Sequence, residues 1–232
     1  MAVLRRVITV TAVMVAAGLA VAGCAPIKMG AAAIVGNNSV SIAQLDTDSG
    51  MLAAAAKKSP PQQPLTQQQI TQKTLGWLIQ FQIADQLASQ NGITVTSAQE
   101  QQAINDVLAS NREEAEQNGA PASSVTLNAI MIANGIAPSL QPELGQYVAI
   151  QEAFVKSANG GTEPTTQAEA TAADNKYSHA TCEAAKSLDI KVNPQFGRMS
   201  YTQYTVIDSA NTVSLPSGTI PSTEPGGLSP AC

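Results

Sequence analysis

The chain has 232 residues with 12 basic and 17 acidic side chains, a formal net charge of −5, and few charged (12%) or aromatic (3%) residues. Such an acidic balance suits neither nucleic acid, whose phosphates are held by clustered Lys and Arg, nor electrostatic binding to anionic lipid headgroups. Length and composition support one domain with tails, built on a modest core of Ile, Leu, Val and Ala.

The chain opens with a leader pattern. Arg5 and Arg6 supply a positive start, and residues 7–22 are apolar and uncharged, short of the ~20 apolar residues that span a bilayer. Val21-Ala22-Gly23-Cys24 then has the form of a lipobox, where small residues admit a signal peptidase and a cysteine thiol takes up a diacylglyceryl group. Residues 1–23 are therefore expected to be a lipoprotein signal peptide. Cys24 becomes the lipidation site, its palmitate-class acyl chains holding the protein on the extracytoplasmic face of a cell membrane. Residues 24–31 read as a membrane-proximal spacer, and removal of Arg5 and Arg6 makes the remaining chain more acidic still.

In chain order, residues 32–35 form a small apolar run, Gly36-Asn37-Asn38 a turn, and Ser41 with Gln44 a capping box opening a helix to about residue 56. Lys57 and Lys58 suit the negative end of its dipole, and the proline-rich stretch 59–64 is an extended connector. Residues 66–91 carry the strongest helix signal: Ile70, Trp77, Phe81, Ala84 and Ala88 form one stripe, with Leu75, Leu78, Ile83 and Leu87 beside it. So wide an apolar arc predicts a central helix touching others on more than one side, ended by Gly92. A second capping box, Ser97 with Glu100, starts a helix to about residue 119. Shorter helices are expected at 123–134 and 142–158, then an Ala-rich helix at 165–188. Residues 190–192 and 204–207 read as extended pieces around an Asn193-Pro194 turn. Beyond Asp208, Pro, Ser, Thr and Gly predict a disordered tail, residues 208–232. The expected fold class is mainly α, a helical bundle with a small β element formed by the N- and C-terminal segments of residues 32–207.

With Cys24 acylated, Cys182 and Cys232 remain. An extracytoplasmic compartment permits their disulfide, worth about 4 kcal/mol for so long a loop in the chain-entropy model. The alternative is a buried Cys182 and a free thiol at Cys232. His179 and Cys182, at i and i+3 with Glu183 adjacent, share a helix face. A nucleophile–base pair needs a third, orienting group, and a zinc site further ligands, so this reads as an exposed His beside a structural Cys. Glu113, Glu114 and Glu116 read as a solvated helix face. No P-loop, dinucleotide fingerprint or Gly-x-Ser-x-Gly occurs. Trp77 and Phe81, one helical turn apart, are the candidate polypeptide-binding residues because aromatics dominate interface energetics, although the same spacing also serves a core. Met51, Met131 and Met199 could offer adaptable surface, with gap-filling in the core the preferred reading for each.

Three segments carry a family resemblance. Residues 32–45, Ala-Ala-Ile-Val-Gly-Asn-Asn-Ser-Val-Ser-Ile-Ala-Gln-Leu, resemble the opening strand–turn–helix of the SurA and PrsA type of envelope chaperones. Residues 92–100, Gly-Ile-Thr-Val-Thr-Ser-Ala-Gln-Glu, are similar to the inter-helix link of the same N-terminal domain. Val192-Asn193-Pro194-Gln195-Phe196-Gly197-Arg198-Met199 resembles the family's closing Val-Asn-Pro-Arg-Tyr-Gly-x-Trp segment, departing from it at Gln195, Phe196 and Met199. The resemblance spans most of residues 30–207. It implies a helical cradle for unfolded or nascent exported polypeptides. It does not imply the parvulin-type prolyl isomerase domain of many members. Such a domain would need roughly 90–100 residues where only the Ala-rich helix stands, and an active site with histidines where this chain has one, His179. The expectation is a lipid-anchored, cofactor-free, chaperone-like module without isomerase activity, binding no nucleic acid. The alternative is an accessory lipoprotein docking one envelope protein.

Overall fold

The computed structural model describes residues 30–61, 64–201 and 204–208. The leader, Cys24, most of the spacer, Cys232 and nearly all of the tail lie outside the described residues. Strand β1 (Ala31–Val35) starts on the last residue assigned to the spacer and turns through Gly36 and Asn37 into β2 (Asn38–Ser41). Ser41 leaves the strand with extended φ/ψ, and its hydroxyl accepts from the Gln44 N–H at 3.0 Å, starting α1 (Ile42–Lys58) as the capping pattern predicts. The expected stop and dipole complement at Lys57 and Lys58 are also present.

Helix α2 (Gln67–Asn91) runs from a capping box at Thr66 and Gln69 to Gly92, which ends it with φ +63°. It is the central helix, packing against α1, β1, β2, α5 (Gln141–Ala158), α6 (Gln167–Ser187) and β5 (Thr205–Ile207). Leu75 and Ile79 are wholly buried in it and Leu78, Ile83 and Leu87 nearly so. Each such side chain contributes about 1.5–3 kcal/mol by leaving water. Gly76 is what lets β5 lie on this helix, since a Cβ there would come within 2.9 Å of Thr205 Oγ1.

Helix α3 (Ser97–Gln117) packs along α5. Its capping box is one residue earlier than the sequence suggested: Thr96 is the N-cap, its Oγ1 accepts from the Gln99 N–H, and Gln99 Oε1 accepts from the Thr96 N–H at 2.8 Å. Ser97 is instead the first helical residue. The two frames overlap, and the β-branched Thr96 suits the extended cap position better than the helix interior. The single helix expected at 123–134 is a 3-10 turn (Ala122–Ser124) followed by α4 (Leu127–Ala133), because Thr126 caps the latter by accepting from the Ala129 N–H at 3.2 Å. Another 3-10 turn, Pro138–Leu140, leads into α5.

The chain closes on its own beginning. Strand β3 (Lys191–Val192) pairs antiparallel with β1, giving the sheet order β2-β1-β3. Asn193 fixes this junction twice, its N–H donating to Ala32 O at 2.9 Å and its Nδ2 to Ala31 O at 3.2 Å. Its Oδ1 accepts from the Gln195 N–H and so shapes the following turn. Strand β4 (Arg198–Ser200), absent from the sequence reading, pairs antiparallel with β5. Three residues carry no periodicity of their own, and the partner strand makes this one. Core residues run from Ala32 to Val206, so both end segments and the bundle share one apolar cluster.

The cap assignment is directly testable. Thr96→Ala is expected to lower unfolding free energy by about 1 kcal/mol and Ser97→Ala to leave it nearly unchanged, measured as paired urea midpoints.

Candidate functional site

Scarce aromatic side chains converge on the seam between α2, α5 and α6. Trp77 and Phe81 project from α2 with ring centroids 5.7 Å apart. Both meet Tyr147 of α5 edge-on, at 5.7 and 6.0 Å. Phe154, two turns further along α5, meets Tyr177 of α6 edge-on at 5.7 Å. Such pairs contribute about 0.5–1.5 kcal/mol each beyond their buried area. The two candidate residues differ in access: Phe81 is buried (7% exposed), whereas Trp77 is half-buried. The Trp77 indole N–H donates to Asn134 O at 3.0 Å, tying the ring to the end of α4. Phe81 thus serves the core, and Trp77 is partly open to solvent.

Beside this cluster lies a cavity of about 130 Å³ lined by Gln80, Ile83, Ala84, Tyr147, Tyr177, Ser178, Thr181 and Tyr204. Apolar walls with a few convergent polar groups are the ordinary form of a small recognition site. Tyr204 has φ +48°, a left-handed conformation that a bulky residue adopts only when its surroundings impose it. Its carbonyl accepts from Gln80 Nε2 at 3.0 Å, and its hydroxyl reaches Ser178 O at 3.5 Å. Burial pushes the Tyr177 hydroxyl far above the usual phenol range, reinforced by the neighbouring Tyr147. The Tyr204 hydroxyl is raised too, by burial first and by Glu183 second.

A second, larger concavity of about 670 Å³ lies where α3 and α5 meet the Gly160-Gly161 turn. Gln99, Gln102, Glu152, Lys156 and Glu163 line it. Burial, with Asp106 and Glu163 adding to it, raises the Glu152 carboxyl, while Lys156 and Glu163 form a solvent-facing ion pair at 3.5 Å. It is an open cleft whose ion pair faces solvent. The smaller, more apolar tyrosine-lined cavity is the better candidate for holding an apolar group.

The remaining sequence candidates separate. His179 is exposed, whereas Cys182, one turn away, is 3% exposed and disulfide-bonded, with its partner outside the described residues. No thiolate stands beside the imidazole. Among the described residues no group of three or more His, Cys, Asp or Glu is placed to hold a metal, and no helix is long and apolar enough to cross a membrane. Met131 fills the core completely and Met199 is half-buried, but Met51, preferred for the core from sequence, is 48% exposed on α1. It sits on the far side of a helix whose buried positions are Leu45, Asp48, Ser49 and Leu52. Sequence reasoning missed Tyr177 and Tyr204 as site residues. The available signal was that a chain so poor in aromatics places tyrosines at 147 and 177 in two different helices and another at 204, just before β5.

No protein-family model, no curated protein and no solved structure matches this chain.

The raised hydroxyl of Tyr177 has a consequence at high pH. The unfolded chain loses this phenol's proton near pH 10 while the folded chain keeps it, so the unfolded state binds fewer protons there and stability falls as pH rises above 10. In an alkaline titration followed at the tyrosinate absorbance, the native protein is expected to show a tyrosine fraction that ionises only as the protein unfolds. Tyr177→Phe is expected to remove that fraction.

Proposed function

We propose that the protein is a lipid-anchored extracytoplasmic chaperone-like module that holds unfolded or nascent exported polypeptides through apolar contacts, without cofactor and without prolyl isomerase activity. The observation that carries this reading is the tyrosine-lined cavity beside the half-exposed Trp77. Its volume of about 130 Å³ accommodates one apolar side chain rather than a folded surface or an extended cofactor. A site that takes side chains singly, by non-directional burial, binds broadly and modestly, which is what a holding function requires.

Three further features support the same reading. The Arg5-Arg6 start, the uncharged stretch and Cys24 favour export and acylation. The segments that resemble the SurA and PrsA type fall on the fold's joints: the β1–β2 hairpin with the start of α1, the α2–α3 link, and the β3–β4 connection. Between α5 and β3 stands the single helix α6, and its His179 faces solvent, which favours a binding role over isomerisation.

The test uses the chain from Ala25 onward with two unrelated unfolded proteins, recording light scattering and the emission of Trp77, the protein's one tryptophan. Protection of both near equimolar ratio, with a shift in Trp77 emission, is the expected outcome. Trp77→Ala is expected to weaken protection about tenfold, equivalent to about 1.4 kcal/mol, with the α-helical circular dichroism retained. Protection of neither client overturns the proposal and favours an accessory module that docks a single envelope protein.

A further inference from the structure

The tyrosine-lined cavity has a buried floor and a half-buried rim. Ile83 and Ala84 of α2 are covered, while Gln80 and the lining residues from α5, α6 and the start of β5 keep some exposure. A guest can therefore enter at the rim and reach apolar surface at the bottom. Five of the eight lining residues carry a hydroxyl, at Tyr147, Tyr177, Ser178, Thr181 and Tyr204. A site that only buried hydrocarbon would have no use for them, because a hydroxyl cut off from water must find a partner.

Part of that demand is met inside the fold. The Tyr204 hydroxyl reaches Ser178 O at 3.5 Å. The Tyr177 hydroxyl is governed first by its burial, with Tyr147 reinforcing the effect and Thr181 opposing it, so these three hydroxyls stand within range of one another. Thr181 Oγ1 is nonetheless buried without a hydrogen-bond partner among the described residues. A helical Thr can give its proton to the carbonyl three or four residues back, but here that bond is not made, and the carbonyl three back, Ser178 O, is the one that Tyr204 approaches.

We propose that the cavity prefers side chains ending in a hydroxyl to hydrocarbon side chains of the same shape, and that Thr181 Oγ1 is the atom that tells them apart. This rests on the reading of the cavity as a holding site for exported polypeptide. Chemistry narrows the guest. Thr181 Oγ1 can donate and accept, and so can a guest hydroxyl, so the pair closes whichever way the protons point. A carboxylate or ammonium group would set an unpaired charge against Ile83, Ala84 and the tyrosine rings, at high cost. A primary amide brings two donors and an acceptor, more than one unpartnered atom can serve. A cavity of about 150 Å³ admits a benzene ring, and this one is about 130 Å³, so tyrosine is near the largest guest and threonine a small one. The gain from one neutral hydrogen bond corresponds to about three- to tenfold in affinity. Burial thus holds many side chains, and the hydroxyl biases the choice among them.

The test uses the full chain, expressed with export and reconstituted in lipid nanodiscs, with four dye-labelled peptides identical except for a central Tyr, Phe, Thr or Val. Fluorescence anisotropy gives each Kd. The Tyr peptide is expected to bind more tightly than the Phe peptide, and the Thr peptide than the Val peptide, by about three- to tenfold. Thr181→Val, which keeps the shape and removes the hydroxyl, is expected to bring both ratios close to one, whereas Thr181→Ser retains them. Equal affinities within both pairs for the native chain overturn the preference and leave the holding function standing. Ratios that persist in Thr181→Val, with its helical circular dichroism intact, overturn the role of Thr181. Binding of no peptide while client aggregation is still suppressed overturns the cavity as the site, and binding of none without suppression overturns the holding function as well.

Discussion

Everything in this fold leans on the desolvation of one helix. Helix α2 is covered by α1, α5, α6 and three strands, so it has no uniformly polar face. Its exposed positions are confined to its ends and to a few residues such as Lys73 and Asp85. A helix hydrophobic over most of its circumference has little reason to be helical alone in water, and here tertiary packing supplies that reason. The same crowding explains its small residues: Gly76, Ala84 and Ala88 are places where β5 or a neighbouring helix comes close. The aromatic seam also begins on α2, where Trp77 and Phe81 both meet Tyr147 of α5. The tyrosine-lined cavity lies beside them.

A second constraint is the closure of the sheet. Strand β1 has partners on both sides, and the β3 side is contributed by residues some 160 positions later, as the Asn193 bond to Ala31 shows. The loop entropy of such a contact must be met before its hydrogen bonds count, so the β3 pairing depends on the bundle that holds its two ends close. Asn193 is well suited to that junction because one residue provides a backbone and a side-chain donor to β1 and an acceptor to its own turn.

Much of this was legible in the sequence. Ser41, Thr66 and Gly92 bound their helices because capping chemistry is local, and the wide apolar arc of residues 66–91 declared a central helix. The pairing of the two end segments was legible as well, since the apolar run 32–35 and the extended Ile190-Lys191-Val192 are each too short to be stable unless they meet. Local signals failed where two frames compete, at Thr96 and Ser97, and where a strand exists only by virtue of its partner, at β4. Of the candidate site, Trp77 and Phe81 could be picked out as an aromatic pair, but their difference in burial depends on the elements packed around them. Tyr177 and Tyr204 lie 27 positions apart and come together only because the backbone turns at Tyr204 into a conformation that no propensity favours. A cavity is a property of what surrounds it, and no single segment carries its signature.

The double pairing of β1 also has a mechanical side. Any pull on the chain N-terminal to Gly30 enters the fold through this strand, and the antiparallel ladders to β2 and β3 flank it on both edges. Tension along the strand loads the hydrogen bonds of both ladders together, in shear, instead of opening them one after another. The bond from the Ile42 N–H to Gly30 O at 2.8 Å adds the start of α1 to the same joint. A pull along β1 is therefore opposed at once by β2, by β3 and by the start of α1.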